Sequence, residues 1–174
     1  MDKEYNKKRY ILLVILCLLF IFSIVLYNLK NKDNNEEIIY DGNKVKLLSD
    51  YSRFFTVNSC VYKYITYLQS KNVDSIIKVL DEEYKNTKNI NSSNVLENVE
   101  NLSGNFSFVS KKIYYENIDN YNIKYYVYGY LTEDTIDGYG EKLDRYYVVL
   151  FDTKKNIFTI TPYNEFNFKE VTNG

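Results

Sequence analysis

Residues 145–163 read RYYVVLFDTKKNIFTITPY and contain the clearest strand signal in the chain. Two runs rich in β-branched and aromatic residues, 145–152 and 157–163, stand on either side of the polar segment 152–156. Such runs are typical of strands, and a connection this short joins antiparallel neighbours. The stretch therefore predicts a β-hairpin towards the C-terminal end.

Alternation of apolar and polar residues continues upstream of this hairpin. Residues 106–116 and 123–132 predict two further strands, separated by the turn-forming sequence IDNYN. Residues 133–143, which contain two glycines, predict a loop, and a short edge strand is expected near Val45–Leu47. In strand 123–132, one face carries Ile123, Tyr125, Val127, Gly129 and Leu131, and the other carries Lys124, Tyr126, Tyr128 and Tyr130.

Helical spacing dominates the segment before the strands. Apolar residues recur at this spacing from Tyr51 to Leu68, and Asp50 or Ser49 can cap the helix that they predict. A second helix is predicted after Asn72, and the residues on its apolar side are Val73, Ile76, Ile77, Leu80 and Tyr84. A third, shorter helix is predicted after Asn91, and its inward-facing residues are Val95, Leu96, Val99 and Leu102.

Helices followed by an antiparallel meander predict an α+β domain with two or three helices packed on one face of the sheet. The order resembles the NTF2-like (cystatin-superfold) cone, in the stretches FFTVNSCVYKYITYL, VDSIIKVLDEEY and YYVVLFDTKKNIFTITPY. The resemblance implies a fold shared by enzymes, ligand carriers and structural domains. Membrane-anchored relatives act as assembly parts of bacterial secretion and conjugation machines, or beside cell-wall enzymes. Enzymatic members commonly use an Asp–His pair, which a chain without histidine lacks.

The N-terminal region contains an apolar run, ILLVILCLLFIFSIVLY, at residues 11–27. Its length matches the hydrocarbon core of a bilayer, and basic residues precede it. We therefore predict a cytoplasmic tail (1–10), a transmembrane helix (11–29), a tether (30–44) and an extracytoplasmic domain (45–174).

Three alternatives to this uncleaved anchor are a cleaved signal peptide, a lipoprotein acylated at Cys17 and a buried core helix. No A-x-A-like exit follows the run, and Leu16 is bulky for the residue before a lipidated cysteine. A run that is apolar on every face suits lipid better than a protein core. The anchor is the favoured interpretation.

Composition excludes several classes of function. Lys and Arg number 22 against 23 Asp and Glu, so no basic surplus is present to neutralise a nucleic-acid backbone. The absence of histidine excludes His-based catalysis and His-ligated metal sites. Two cysteines cannot build a disulfide framework, and Cys60 on the apolar side of the first helix is expected to be buried. No catalytic residue, metal ligand or cofactor is assigned.

The candidate ligand-binding residues are Tyr126, Tyr128 and Tyr130, which share one strand face. Tyrosines on a concave sheet could stack a sugar or hold a peptide. The structural alternative is an aromatic ladder or a covered core.

Two clusters of acidic residues are candidates for a cation site. Residues 81–83 are interpreted as a solvated helix face, because consecutive helical positions point apart. Asp134, Asp137 and Glu141 superficially resemble a calcium loop, but the D-x-D-x-D-G spacing is missing. A polar hairpin loop is the favoured interpretation of the second group.

The abundance of Lys, Asn, Ile and Tyr, whose codons are AT-rich, is typical of a low-GC bacterium. Together these patterns predict a single-pass membrane protein of such an organism. Its extracytoplasmic domain would act as a non-catalytic accessory or scaffold through contact with a protein partner or with copies of itself. The alternative is a module that binds a cell-wall glycan, a peptide or a small apolar ligand on the tyrosine-rich face. An enzyme using only carboxylates and tyrosine is the third and least favoured hypothesis.

Overall fold

The computed structural model describes residues 14–24, 37–40, 42–135, 138–166 and 169–170. The chain divides into two compact units, Met1–Glu36 and Glu37–Gly174. In the first unit residues 14–24 form helix α1, and the rest of the predicted membrane helix lies outside the described residues. Within the described part of the chain, no helix has the length and apolar character required to cross a membrane.

The second unit is an α+β fold built on one antiparallel sheet, as the sequence predicts. The sheet order is β6-β5-β4-β3-β2-β1-β7, and every neighbouring pair is antiparallel. The strands are β1 (Glu37–Tyr40), β2 (Asn43–Leu47), β3 (Phe106–Asn117), β4 (Asn122–Thr135), β5 (Gly138–Asp152), β6 (Ile157–Tyr163) and β7 (Lys169–Glu170).

The predicted loop at 133–143 is wrong. Strands β4 and β5 stay paired as far as Thr135 and Gly138, so most of this stretch belongs to a long hairpin. Residues 136–137 lie outside the described residues. The prediction failed because polar residues and glycines occur at the exposed end of a hairpin as well as in a loop. The final hairpin is confirmed, and the Asp152 carboxylate accepts hydrogen bonds from the backbone N–H groups of Lys154 and Lys155.

The N-terminal edge of the sheet also differs from the prediction. Strand β1 and the start of β2 lie in the stretch 30–44 that was interpreted as tether, and β2 is an interior strand between β1 and β3. Ile38 and Val45 face each other across these strands and are buried. Burial of this cross-strand apolar pair stabilises the segment as part of the sheet.

Helix α2 (Tyr51–Gln69) confirms the first predicted helix. Its predicted apolar stripe is buried from Val57 to Leu68, and Cys60 lies within it. The Asp50 carboxylate accepts hydrogen bonds from the backbone N–H groups of Ser52 and Arg53, at 2.9 and 3.2 Å. These contacts pair two donors that the first turn of a helix otherwise leaves unsatisfied.

Replacing Asp50 by alanine is expected to lower the free energy of unfolding by about 1 kcal/mol, the usual cost of losing such a cap. Urea unfolding of the full chain in detergent micelles, followed by circular dichroism, measures the change. Asp50→Asn is the matched control, since asparagine keeps an acceptor oxygen. Equal losses in both variants would contradict a capping role.

The second predicted helix is in fact two helices, α3 (Val73–Val79) and α4 (Glu82–Lys88). Leu80 is extended between them and forms a parallel bridge to Ile160 of β6, and the Asp81 N–H donates to the Ile160 carbonyl oxygen. The interruption therefore covers part of an edge strand. Asp81 caps α4 through the Tyr84 N–H, so within the acidic group only Glu82 and Glu83 form the predicted solvated face.

Helix α5 (Val95–Asn98) replaces the third predicted helix and is a single turn. Val95 and Leu102 are buried as predicted, and Val99 is half-buried. Leu96 is 41% exposed, so its predicted inward position is wrong. The chain leaves helical geometry at Val99, and the helical spacing that would bring Leu96 inward is not maintained.

The sheet separates two hydrophobic cores. On the helix-covered face, the predicted inward row of β4 packs with α2, α3 and residues of β3, β5 and β6. On the other face, a smaller core contains Ile38, Val45, Tyr114, Tyr126, Val148 and Phe166. The predicted division of β4 into two faces is confirmed.

Candidate functional site

The candidate site is the helix-free face of the sheet, where the three predicted tyrosines lie. Register places Tyr126 opposite Tyr114 of β3 and Val148 of β5, and Tyr128 opposite Lys112 and Tyr146. The antiparallel pairing thus brings aromatic side chains from neighbouring strands to one surface.

Tyr126 is not accessible at this surface. It is 1% exposed, and its ring lies 4.7 Å from that of Tyr40 and 5.8 Å from that of Phe166, between centroids. Its hydroxyl donates a 2.5 Å hydrogen bond to Glu116 Oε1. Burial raises the pKa of Tyr126 far above its ordinary value, and the bond to Glu116 adds to the rise. Tyr126 is therefore a packed and neutral member of the second core.

Tyr128 is half-buried and forms an aromatic pair across the strands. Its ring stacks on that of Tyr146 with centroids 5.0 Å apart and planes inclined by 18°. The Tyr128 hydroxyl donates to Asp144 Oδ1 at 3.3 Å. Partial desolvation and the nearby Asp144 raise the pKa values of both tyrosines. The pair offers aromatic area with polar tips, which suits a protein or sugar surface.

Tyr130 lies in a third environment, between two lysines. The Nζ atoms of Lys111 and Lys142 are 5.1 and 4.9 Å from its ring centroid. Both distances are within the range of cation–π attraction. Lys111 reaches this position at a register shift between Ser110 and Lys112, where β3 carries one extra residue.

Phe166 is the residue of this site that the sequence analysis missed. It follows β6 and is 6% exposed, with its ring among those of Tyr40, Tyr126, Tyr146 and Tyr163. Phe166 lies beyond the last predicted strand, in the sequence NEFNFKE at residues 164–170. The alternation of its two phenylalanines with polar residues was the available signal, but it extends over too few residues to predict a buried position.

The rings around Phe166 show that this face is concave. Tyr40 and Tyr163 belong to β1 and β6, which are five strand spacings apart, about 24 Å if the sheet were flat. Their ring centroids nevertheless lie 5.5 and 5.7 Å from that of Phe166. The sheet must therefore curve towards Phe166, in agreement with the twist of sheets in general.

A second polar group, also missed by the sequence analysis, lies on the helix-covered side. The Arg145 guanidinium donates from Nε to both carboxylate oxygens of Glu100, at 2.8 and 3.0 Å, and Nη2 also contacts Oε1. This ion pair raises the pKa of Arg145. Glu100 also lines a cavity of about 110 Å³ with Leu68, Lys71, Leu96, Val99 and Asn101.

Near this ion pair, two hydroxyl groups are buried without a hydrogen-bond partner among the described residues, those of Tyr64 and Tyr147. Their rings meet edge to face at 5.9 Å. Burial is the main cause that raises the pKa of each, and the charge of Glu100 adds to it. An unpaired buried hydroxyl lowers stability, because it has lost its hydrogen bonds to water.

Replacing Tyr147 by phenylalanine is therefore expected to raise the free energy of unfolding by about 1 kcal/mol, since the ring is kept and the unpaired hydroxyl removed. For a domain of this size the melting temperature should rise by about 3 °C. Thermal unfolding of the full chain in detergent micelles measures it. Tyr126→Phe is the matched control, and it should lower stability because its hydroxyl is bonded to Glu116. A loss of stability in Tyr147→Phe would show that water satisfies the hydroxyl in solution.

The remaining candidates have simpler environments. Cys60 is 4% exposed, and burial raises the pKa of its thiol to about 11, so it is a weak nucleophile at neutral pH. Among the described residues no three acidic or cysteine side chains converge as a metal site would require. Asp137 of the calcium-like sequence lies outside the described residues, and Asp134 and Glu141 belong to paired strands β4 and β5.

Comparison with protein-family models, curated proteins and solved structures gave no match. The resemblance to the NTF2-like cone therefore stays a prediction from the sequence pattern. What the arrangement can do follows from its own chemistry: a concave aromatic surface holds flat or aromatic groups and offers hydroxyl and ammonium groups at its margin.

Proposed function

We propose that this chain is a single-pass membrane protein whose folded unit acts outside the cytoplasm as a non-catalytic accessory or scaffold. It would do so through contact with another protein or with copies of itself. The observation that carries the proposal is the concave aromatic face around Tyr128 and Tyr146. Aromatic residues with polar tips are enriched in protein interfaces and supply much of their binding energy.

Membrane attachment is supported by the surface of α1. Its large apolar side chains, from Val14 to Ile24, are each between 45% and 69% exposed on every side of the helix. Uncovered apolar area of this extent requires lipid or another protein around it. The basic residues that precede the run favour a cytoplasmic N-terminus. An NTF2-like architecture is supported by the order of helices and strands and by helices that cover one sheet face.

The experiment is chemical crosslinking in intact cells, followed by purification in mild detergent and mass spectrometry. We expect a defined protein partner or a homo-oligomer. The double variant Tyr128→Ala with Tyr146→Ala should recover at least roughly tenfold less of it, as expected for residues at the centre of an interface. Tyr62→Ala is the matched control, because Tyr62 is 59% exposed on α2. A chain recovered alone at its monomer mass would overturn the proposal.

The second candidate is a module that binds a cell-wall polymer. The observation that favours it is Tyr130 between Lys111 and Lys142, since a ring flanked by ammonium groups suits an anionic sugar polymer. Addition of soluble wall fragments should then shift the NMR signals of Tyr128 and Tyr130 in the micelle-bound full chain. Unchanged signals at both rings would exclude this candidate.

A further inference from the structure

Phe166 occupies a receptor made of four tyrosines. Its ring centroid lies 5.5 Å from Tyr40, 5.8 Å from Tyr126, 5.3 Å from Tyr146 and 5.7 Å from Tyr163. Three of these contacts are edge to face, the arrangement that aromatic rings prefer. We name these four tyrosines the tyrosine cup. They come from β1, β4, β5 and β6, so the cup exists only in the folded sheet.

Phe166 and β7 contact the sheet at separate places, as the anchor residue and the strand of a bound peptide would. After Phe166 the chain forms β7, which pairs antiparallel with the outer edge of β1 through Ile38↔Glu170 and Ile39↔Lys169. One anchored side chain together with an added edge strand is the manner in which sheet domains recognise extended peptides. We name residues 164–166 and β7 the strap.

The strap carries a carboxylate beside its aromatic residue. Glu165 directly precedes Phe166, and its charge acts on the neighbouring Tyr146. On the same sheet face Lys124 lies opposite Glu116 in the strand register, so the pairing of an acidic residue with phenylalanine is a feature of the strap sequence itself. A segment with this pattern is the kind of occupant that the cup accepts within the chain.

We propose that the tyrosine cup is the docking site for an extended segment of a protein partner, one that bears a phenylalanine next to an acidic residue. The strap occupies this site within the chain and is displaced when the partner binds. The proposal rests on the proposed function and names the surface and partner chemistry that it would use. Among the described residues β7 pairs with β1 at two positions, and Phe166 is the buried side chain of the strap.

The first test uses a fluorescently labelled peptide with the sequence of residues 163–170, YNEFNFKE, and the full chain in detergent micelles. Phe166→Ala empties the cup and should bind the peptide at least roughly tenfold more tightly than the wild type, because competition from the strap is removed. The peptide carrying Phe166→Ser should not bind. Phe55→Ala, which removes a 52% exposed phenylalanine from α2, is the matched control and should behave as the wild type.

The second test does not depend on the folding of Phe166→Ala. Ile39→Cys with Lys169→Cys, in a Cys17→Ala background, places cysteines at partnered positions of β1 and β7. Oxidation should lock the strap and abolish peptide binding, and reduction should restore the wild-type affinity. Equal binding by the oxidised and reduced protein would overturn the proposal, as would a folded Phe166→Ala variant that binds no more tightly than the wild type.

Crosslinking in cells separates this proposal from the proposed function. Loss of the partner on locking, with recovery on reduction, supports both. A partner recovered equally from locked and reduced protein would overturn the cup as its site and leave the scaffold proposal standing on another surface. If no form of the protein yields a partner, the proposed function itself fails.

Discussion

Replacing Gly129 by alanine is expected to lower the free energy of unfolding by about 3 kcal/mol, the upper end of the usual range for an overpacked core. A Cβ atom at this position would lie 2.4 Å from the Val109 carbonyl oxygen and 2.5 Å from Phe108 Cζ. Both distances are well below van der Waals contact. The substitution therefore forces either strand β3 or the Phe108 ring to move.

Neither neighbour of Gly129 can move at low cost. The Val109 carbonyl belongs to the backbone of β3, beside the register shift between Ser110 and Lys112. The Phe108 ring is 8% exposed and packs edge to face on Tyr147, with centroids 5.6 Å apart. Protein interiors are close-packed, so a displacement of either neighbour would strain the residues around it.

The measurement is urea unfolding of the full chain in detergent micelles, followed by tyrosine fluorescence and circular dichroism. Gly42→Ala is the matched control. Gly42 has a φ of +80° with no atom within 4 Å of a built Cβ, so alanine there should cost only about 1 kcal/mol of backbone strain. If the loss at Gly129 did not exceed the loss at Gly42, the close approach of β3 and β4 would be contradicted.

Local patterns predicted the parts of the fold that depend on neighbouring residues. The period of α2, its cap at Asp50 and the alternation along β4 are all properties of short segments, and each is confirmed. The break at Leu80 is different: the helix cap Asp81 follows it directly, but its bridge to Ile160 joins residues that lie far apart along the chain. No helical pattern near Leu80 can reveal a strand edge that needs to be covered.

The sequence predicted that three tyrosines share one face of the sheet, but it did not predict the different surroundings of each ring. Tyr126, Tyr128 and Tyr130 alternate identically in the sequence, yet Phe166 covers the first, Tyr146 stacks on the second and lysines flank the third. These differences come from the register of β3 and β5 and from the strap. Such long-range pairings are not encoded in the period of a single strand.

Two arginines in α1 are expected to remove the chain from the membrane fraction. In Leu16→Arg with Leu19→Arg, both changes fall near the middle of the apolar run at 11–27. Each arginine at the centre of a membrane helix costs about 2.5–3.5 kcal/mol, and two together shift partitioning by roughly 10⁴-fold. Leu16→Met with Leu19→Met is the matched control, which keeps the apolar character and should remain with the membrane.

Sedimentation of cell lysates measures this loss, and cysteine labelling in intact cells measures the orientation. Asn34→Cys and Asn173→Cys, each in a Cys17→Ala background, should react with a membrane-impermeant maleimide before lysis if both positions lie outside the cytoplasm. Cys60 should add little background, because its thiol is buried and its pKa is about 11. Labelling of both cysteines only after lysis would contradict the proposed orientation. Equal sedimentation of the arginine and methionine variants would contradict the anchor, because a lipid-embedded helix must distinguish arginine from methionine.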